Sequence, residues 1–334
     1  MSGSAKIALD AMGGDFAPEA VVLGALEAVG VIKSQIVLIG KEAEIRKFLP
    51  SNVPSQIEIV HASEVVEMDD KPIDALRKKK DSSLNVAINM VKDGRADVMV
   101  SAGNTGAATA GALLGWRQLP GVHRPAIATT MPNQHGQFLL LDAGASPDVS
   151  PEHLVEFAIL GRVYAEKIMG KKNPKVHLLN IGEEPGKGNA FAKQVQTLMA
   201  AHTWFAGNCE GKDLMKSDLD IVVCDAFVGN IVLKTAEGVA EFFLGYIKDS
   251  MPSNKLAQIP YFPLKKLFAP LKKQMDYAEY GGSPLLGLNH ICFICHGRSN
   301  SKAIKNALIQ ADKAIESNLI ELMKADVAKE LTQS

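Results

Sequence analysis

Two alternating periodicities constrain this chain most. Short apolar runs recur at residues 7–9, 36–39, 57–60, 98–100, 126–130, 138–141, 176–180 and 221–224. They are rich in Val, Ile and Leu without clean polar alternation, as expected of strands buried on both faces. Longer segments with helical spacing lie between them, at 18–29, 83–92, 151–169 and 190–200. This alternation predicts an α/β fold, a mainly parallel sheet with helices on both faces. A strand at 291–294 and a helix from Ser301 onward complete it. Residues 98–116 carry no charge and approach the length of a membrane span. Ser101, Asn104, Thr105, Thr109 and several glycines make that stretch too polar, so it reads as strand, Gly-rich turn and buried helix.

With 334 residues, 47% of them hydrophobic, the chain can bury a full core as a single compact unit of two intimate lobes. A formal net charge of -1 gives no overall attraction to nucleic acid, and none is expected as a partner. Lys6 alone precedes the first apolar run, and Asp10 cuts that run short, which does not suit an export signal. Four cysteines in such a chain point to reduced thiols and a cytoplasmic location.

The pattern changes after Thr235. Residues 237–277 read as a helix, a proline-containing break and a basic amphipathic helix, a helical arm inserted into the α/β body. Between Lys255 and Met275 stand five lysines and no acidic residue. Leu264, Leu267, Phe268 and Leu271 fall at helical spacing, and Tyr261 and Phe262 sit between Pro260 and Pro263. A face of this kind suits either burial against a second copy of the chain or shallow contact with an anionic membrane surface, and five uncompensated lysines favour peripheral membrane association.

Five Gly- and polar-rich segments follow the strands, at 10–15, 101–106, 142–145, 182–188 and 225–230. In a parallel sheet such loops line one crevice, and glycine lets backbone N–H groups approach an anion. Gly182 to Lys187 is one residue short of a P-loop, and Gly188 stands where a Mg²⁺-holding hydroxyl would be, which excludes a nucleoside triphosphate site. Cys292 to His296 matches a haem-attachment spacing, but an apolar strand there and no export signal argue against haem. No nucleophile motif and no nicotinamide fingerprint stand out. Anion-binding loops without a nucleophile suggest direct attack by a bound phosphate. Asn104, Thr105 and Gly106 before a helix, with Lys187 and Asn230, are its candidate ligands. Gly13, Gly14 and Ser101 are further candidates in the same loops. Asp15 and Asp225 can orient donors or accept a proton, and His296 can protonate a departing thiolate.

Beyond these single segments, several ordered motifs resemble one family. Residues 7–15 (IALDAMGGD) closely resemble the opening of the bacterial phosphate acyltransferases, the PlsX family. So, in order, do 76–83 (LRKKKDSS), 101–107 (SAGNTGA), 180–182 (NIG), 186–189 (GKGN), 222–225 (VVCD), 227–230 (FVGN), 280–287 (YGGSPLLG) and 296–299 (HGRS). Ala143 and Ala226 are small departures from that pattern. The resemblance implies a fold like the isocitrate and isopropylmalate dehydrogenases, a homodimer, and no metal or organic cofactor. It implies transfer of a fatty acyl group from acyl carrier protein to inorganic phosphate, with the acyl phosphate passing to a membrane-bound glycerol-3-phosphate acyltransferase. An acidic carrier would dock on basic surface, and Arg77, Lys78, Lys79 and Lys80 form the densest basic run in the first half.

Overall fold

The computed structural model describes residues 4–250 and 276–331. The first half contains β1 (Lys6–Asp10), α1 (Glu19–Ala28), β2 (Gln35–Gly40), α2 (Glu42–Ile45), β3 (Ile57–His61), α3 (Pro72–Lys78), α4 (Ser83–Lys92), β4 (Val98–Ser101) and α5 (Thr105–Trp116). Then follow β5 (Ala126–Asn133), β6 (Gly136–Leu141), α6 (Pro151–Lys167), β7 (Val176–Asn180), α7 (Ala190–Met199), β8 (Phe205–Glu210), β9 (Ile221–Val223) and α8 (Ala226–Asp249). Last come β10 (Ser283–Leu286), β11 (Ile291–Ile294), α9 (Ser301–Glu316) and α10 (Leu319–Leu331).

The strands form one 11-stranded sheet in the order β3-β2-β1-β4-β11-β10-β5-β6-β9-β7-β8. All neighbours are parallel except at the centre, where β10 runs antiparallel to β11 and β5, and β5 to β6. The mainly parallel α/β class expected from the periodicity is therefore observed. Its cause is visible residue by residue. In β1, Ile7 and Leu9 join a core cluster with α1, α6 and α9, while Ala8 between them joins another with α4 and α5. Successive side chains leave a strand on opposite sides, so a run apolar at every position needs helices on both faces.

Two strands add to those expected: β8, with Gly207 and Asn208, and β10, with Pro284 after Gly281 and Gly282. Pairing with strongly apolar neighbours overrides their weak strand propensity. The arm also differs. Its first part belongs to α8, which begins at Ala226 rather than Glu237 and runs unbroken to Asp249. The membrane-contact candidates Tyr261, Phe262, Leu264, Leu267, Phe268 and Leu271 lie outside the described residues. No described helix is long and apolar enough to cross a membrane.

One buried carboxylate shapes the turn after β6. Asp142 is fully buried, and its oxygens accept the backbone N–H groups of Ile127, Gly144, Ala145 and Ser146 at 2.8–3.0 Å. Helix α8 then packs onto this turn through Gly229. A β-carbon there would lie 1.9 Å from the Asp142 carbonyl oxygen, so only glycine permits the approach. Burial raises the Asp142 carboxyl above the ordinary carboxylate range, and the four N–H donors pull against that rise. Replacing Asp142 by Ala strands these buried donors and is expected to cost about 3–5 kcal/mol in urea denaturation. Asp142→Asn, which keeps acceptor oxygen, should cost less.

Candidate active site

A cavity of about 700 Å³ lies between α8 and the sheet, beside the N-terminus of α5. One wall is a stripe of α8: Asn230, Leu233, Lys234, Glu237 and Ala240. Their spacings of three and four residues place them on one helix face. The floor comes from β5 and the turn after it, where Ile127 and Met131 are apolar and Thr129 shares a 3.0 Å hydroxyl contact with Ser283 of β10. Thr105 and Gly106 enter from the first turn of α5, and His296 enters just beyond β11. The first-turn N–H groups of a helix have no intrahelical acceptor and carry its positive dipole end, so this corner suits an anion.

Charged groups meet at that corner. Lys234 Nζ lies 2.8 Å from Glu237 Oε2 and 3.4 Å from His296 Nε2, and the His296 and Glu237 atoms are 3.8 Å apart. Arg298 donates its backbone N–H to His296 Nδ1 at 3.2 Å, which directs Nε2 toward Lys234 and Glu237. Burial raises the Glu237 carboxyl, but hydrogen bonds from His296 and Lys234 outweigh it and hold the group below the ordinary range.

The structure sorts the expected site residues. Thr105, Gly106, Asn230 and His296 line the cavity. Ser101 does not: it is buried, donating to Asp10 at 2.7 Å and accepting the Gly103 N–H at 3.1 Å. Gly13 is wedged between Asp10 and Gly103, where a β-carbon would meet atoms at 2.6–2.9 Å. Gly14 has φ of +109°, a conformation that favours glycine. It leads to Asp15, an exposed residue whose N–H donates to Gly297 and so braces the loop carrying His296. Ser101, Gly13, Gly14 and Asp15 all lie outside the cavity lining.

The Asn104 side chain is engaged at both ends. Its Oδ1 caps α5 by accepting the Ala107 N–H at 2.9 Å, and its Nδ2 donates to the carbonyls of Glu67, Met68 and Asp70. A side chain with both ends engaged is a clamp. Asp225 likewise caps α8, accepting the Val228 N–H at 2.9 Å. Lys187 is exposed in the loop after β7 and is absent from the cavity lining, because β7 lies four strands from β10 in the sheet order. Of the basic run, Lys79 is tied to Asp70 at 2.5 Å, while Arg77, Lys78 and Lys80 are exposed at the end of α3.

Sequence reasoning missed Lys234 and Glu237. Their signal was the spacing Asn230, Lys234, Glu237, hidden because the helix was expected to start at 237. All four cysteines are buried, and burial pushes the Cys209 and Cys295 thiols up to about 12, so neither is a ready thiolate.

The family model described as "Fatty acid synthesis protein" matches residues 5–322. A phosphate acyltransferase of Desulfitobacterium hafniense is 47% identical over 327 residues, covering 97% of this chain and 98% of that protein. This chain belongs to the phosphate acyltransferase family. It is a transferase, as its family relatives are. Another member, from Dictyoglomus turgidum, is 48% identical over 316 residues, covering 93% of this chain and 94% of its own length. Among solved structures, the EutD phosphotransacetylase of Staphylococcus aureus shares the fold at 15% identity and a TM-score of 0.59, with 94% of each chain covered. A phosphotransacetylase from Streptococcus pyogenes does so at 19% identity and the same TM-score, with 95% of each chain covered.

Two measurements check the site. Asn104→Ala removes a helix cap and three carbonyl contacts, and should lower folding stability by about 1–2 kcal/mol. Asn104→Asp keeps the cap but turns a carboxylate toward those carbonyls, so it should not restore stability. The depressed Glu237 carboxyl contributes stability that is present above its unfolded value of 4.5 and lost as pH falls through the lower folded value. Glu237→Gln should therefore show a shallower fall in Tm over this acid range than the unsubstituted protein.

Proposed function

We propose that this enzyme transfers a fatty acyl group from the thioester of acyl carrier protein to inorganic phosphate, yielding an acyl phosphate for phospholipid synthesis. The observation that carries the reading is one cavity with two characters. A corner with Lys234, His296 and the α5 N-terminus opens onto apolar Ile127, Met131, Leu233 and Ala240. The first suits phosphate and the second an acyl chain. The names of the family relatives support phosphate as acceptor.

In this reading a phosphate oxygen attacks the thioester carbonyl carbon, and the carbon–sulfur bond breaks as the tetrahedral intermediate collapses. Lys234 and the first turn of α5 hold the phosphate, and Asn230 and Thr105 supply neutral donors. Phosphate is already partly dianionic near neutral pH, so no strong base is needed. His296 Nε2 gives a proton to the departing thiolate, and Glu237 holds the imidazole and ammonium in place. Gly13, Gly14, Ser101, Asn104, Asp15 and Asp225 act through the backbone they position, and Lys187 has no part in phosphate binding.

The carrier docks on Arg77, Lys78 and Lys80. Pro72 at the other end of α3 packs against Gly106 of the cavity. Seven helical residues span about 10 Å, so the basic patch lies close enough for a tethered thioester to reach inside. Exposed Phe227, Ile231, Phe242 and Tyr246 on the outer face of α8 support burial against a second copy. Cytoplasmic location, and anionic membrane contact through residues 255–275, rest on the sequence pattern.

Mass spectrometry of acyl phosphate, with phosphate and either carrier or coenzyme A thioesters, tests the reading. Lys234→Ala should raise the KM for phosphate by about tenfold or more, as loss of one charged contact predicts. Lys187→Ala should leave it unchanged. Turnover confined to acetyl-coenzyme A would instead identify a short-chain phosphotransacylase.

A further inference from the structure

Away from the cavity, three ligand-bearing side chains converge where the loop before β5 meets the start of α6. His123 comes from the loop, and His153 and Glu156 stand one turn apart on α6. Their candidate ligand atoms all lie within 4.8 Å of one another. We propose that His123, His153 and Glu156 form a binding site for a divalent transition-metal cation, best matched by Zn²⁺.

The donor set argues for this class of ion. Two imidazoles and one carboxylate are borderline ligands that suit Zn²⁺, whereas Mg²⁺ and Ca²⁺ favour all-oxygen sites. In a tetrahedral Zn²⁺ site the donors stand about 3–3.5 Å apart, which small rotamer adjustments reach from the observed spacing. The two imidazole rings are already close, with centroids 5.8 Å apart and planes at 33°. Solvent can supply the fourth ligand, because the His123 side chain is 70% exposed while Glu156 is 5% exposed.

Charge gives a second, independent argument. Glu156 is a buried carboxylate, and such groups need a compensating charge. Among the described residues its sole ion-pair partner is His123, whose Nδ1 stands 2.6 Å from Oε1 and whose backbone N–H donates to Oε2 at 2.8 Å. A divalent cation held between the three side chains would supply further positive charge to this buried carboxylate. His153 is already oriented, since its Nδ1 accepts the Ser150 N–H at 3.0 Å in the capping box of α6.

The position gives the ion a structural task. His123 stands just before β5, which forms the cavity floor, and α6 follows the Asp142 turn, which supplies Ala143 and Gly144 to the same cavity. A bound ion would tie these two connections together from outside the cavity.

The test uses the full chain stripped of metal with a chelator and then titrated with Zn²⁺ and with Co²⁺. One equivalent should bind with a dissociation constant of about 10 µM or tighter, and Tm should rise by a few degrees. Co²⁺ should give the visible d–d bands of a nitrogen- and oxygen-ligated site without a thiolate charge-transfer band. His123→Ala and Glu156→Gln should each weaken binding by at least about tenfold, as expected on removing one ligand. Because Glu156→Gln alters a buried group and His123→Ala removes its ion-pair partner, circular dichroism of both metal-free variants should show a folded chain, and His123→Gln, which can still donate to Glu156, separates lost ligation from lost packing. No binding at 100 µM ion, a thiolate band, or unchanged affinity in His123→Ala would each overturn the proposal.

Discussion

The Asp142 carboxylate is the constraint on which the site depends. Four backbone N–H groups converge on it, from β5 and from the turn after β6. Buried amides need acceptors, and a single carboxylate serves four of them. The turn is thereby held in one shape, and its Asp142 carbonyl becomes the surface on which Gly229 of α8 rests. That contact sets how close α8 comes to the sheet. It therefore sets where Asn230, Lys234 and Glu237 stand relative to Thr105 and His296.

A second buried carboxylate plays a matching part in the other half. Asp10 at the end of β1 accepts the Ser101 hydroxyl at 2.7 Å and the Met12 N–H at 3.2 Å, tying the first loop to the one before α5. Burial raises its carboxyl above the ordinary range, against hydrogen bonds from Ser83, Ser101 and Met12. The Gly13–Gly14 loop packs over it and braces the His296 loop through Asp15. Gly13 in that loop thus serves close backbone packing. Residues that touch the cavity come from β5, the Asp142 turn, the start of α5, α8 and the loop after β11.

The α8 helix divides two tasks between its faces. One face carries the mixed stripe of Asn230, Leu233, Lys234, Glu237 and Ala240 toward the cavity, and the other exposes Phe227, Ile231, Phe242 and Tyr246. A helix with large apolar side chains on its outer face departs from the usual amphipathic order. The Asp225–Asn230 motif reads as a loop because Gly229 and Asn230 are poor helix formers. In the fold, Gly229 is required by the Asp142 carbonyl and Asn230 by the cavity, and contact outweighs propensity.

The sequence by itself determined the class of fold, because runs apolar at every position can be satisfied only by a sheet covered on both faces. Ordered motifs along nearly the whole chain were enough to indicate the family. Thr105, Gly106, Asn230 and His296 were recognisable because a turn before a helix and a polar residue after a strand are local signals. The tertiary structure alone decided which loops share a cavity. Lys187 lies outside the cavity lining because sheet order puts β7 four strands from β10, and Lys234 and Glu237 line it because α8 lies across the sheet. Asn104 becomes a clamp because three carbonyls from residues 67–70 reach it. The physical reason is common to all of them. A residue type fixes what a side chain can bond to, while contacts between segments far apart in sequence decide which partner uses that capacity first.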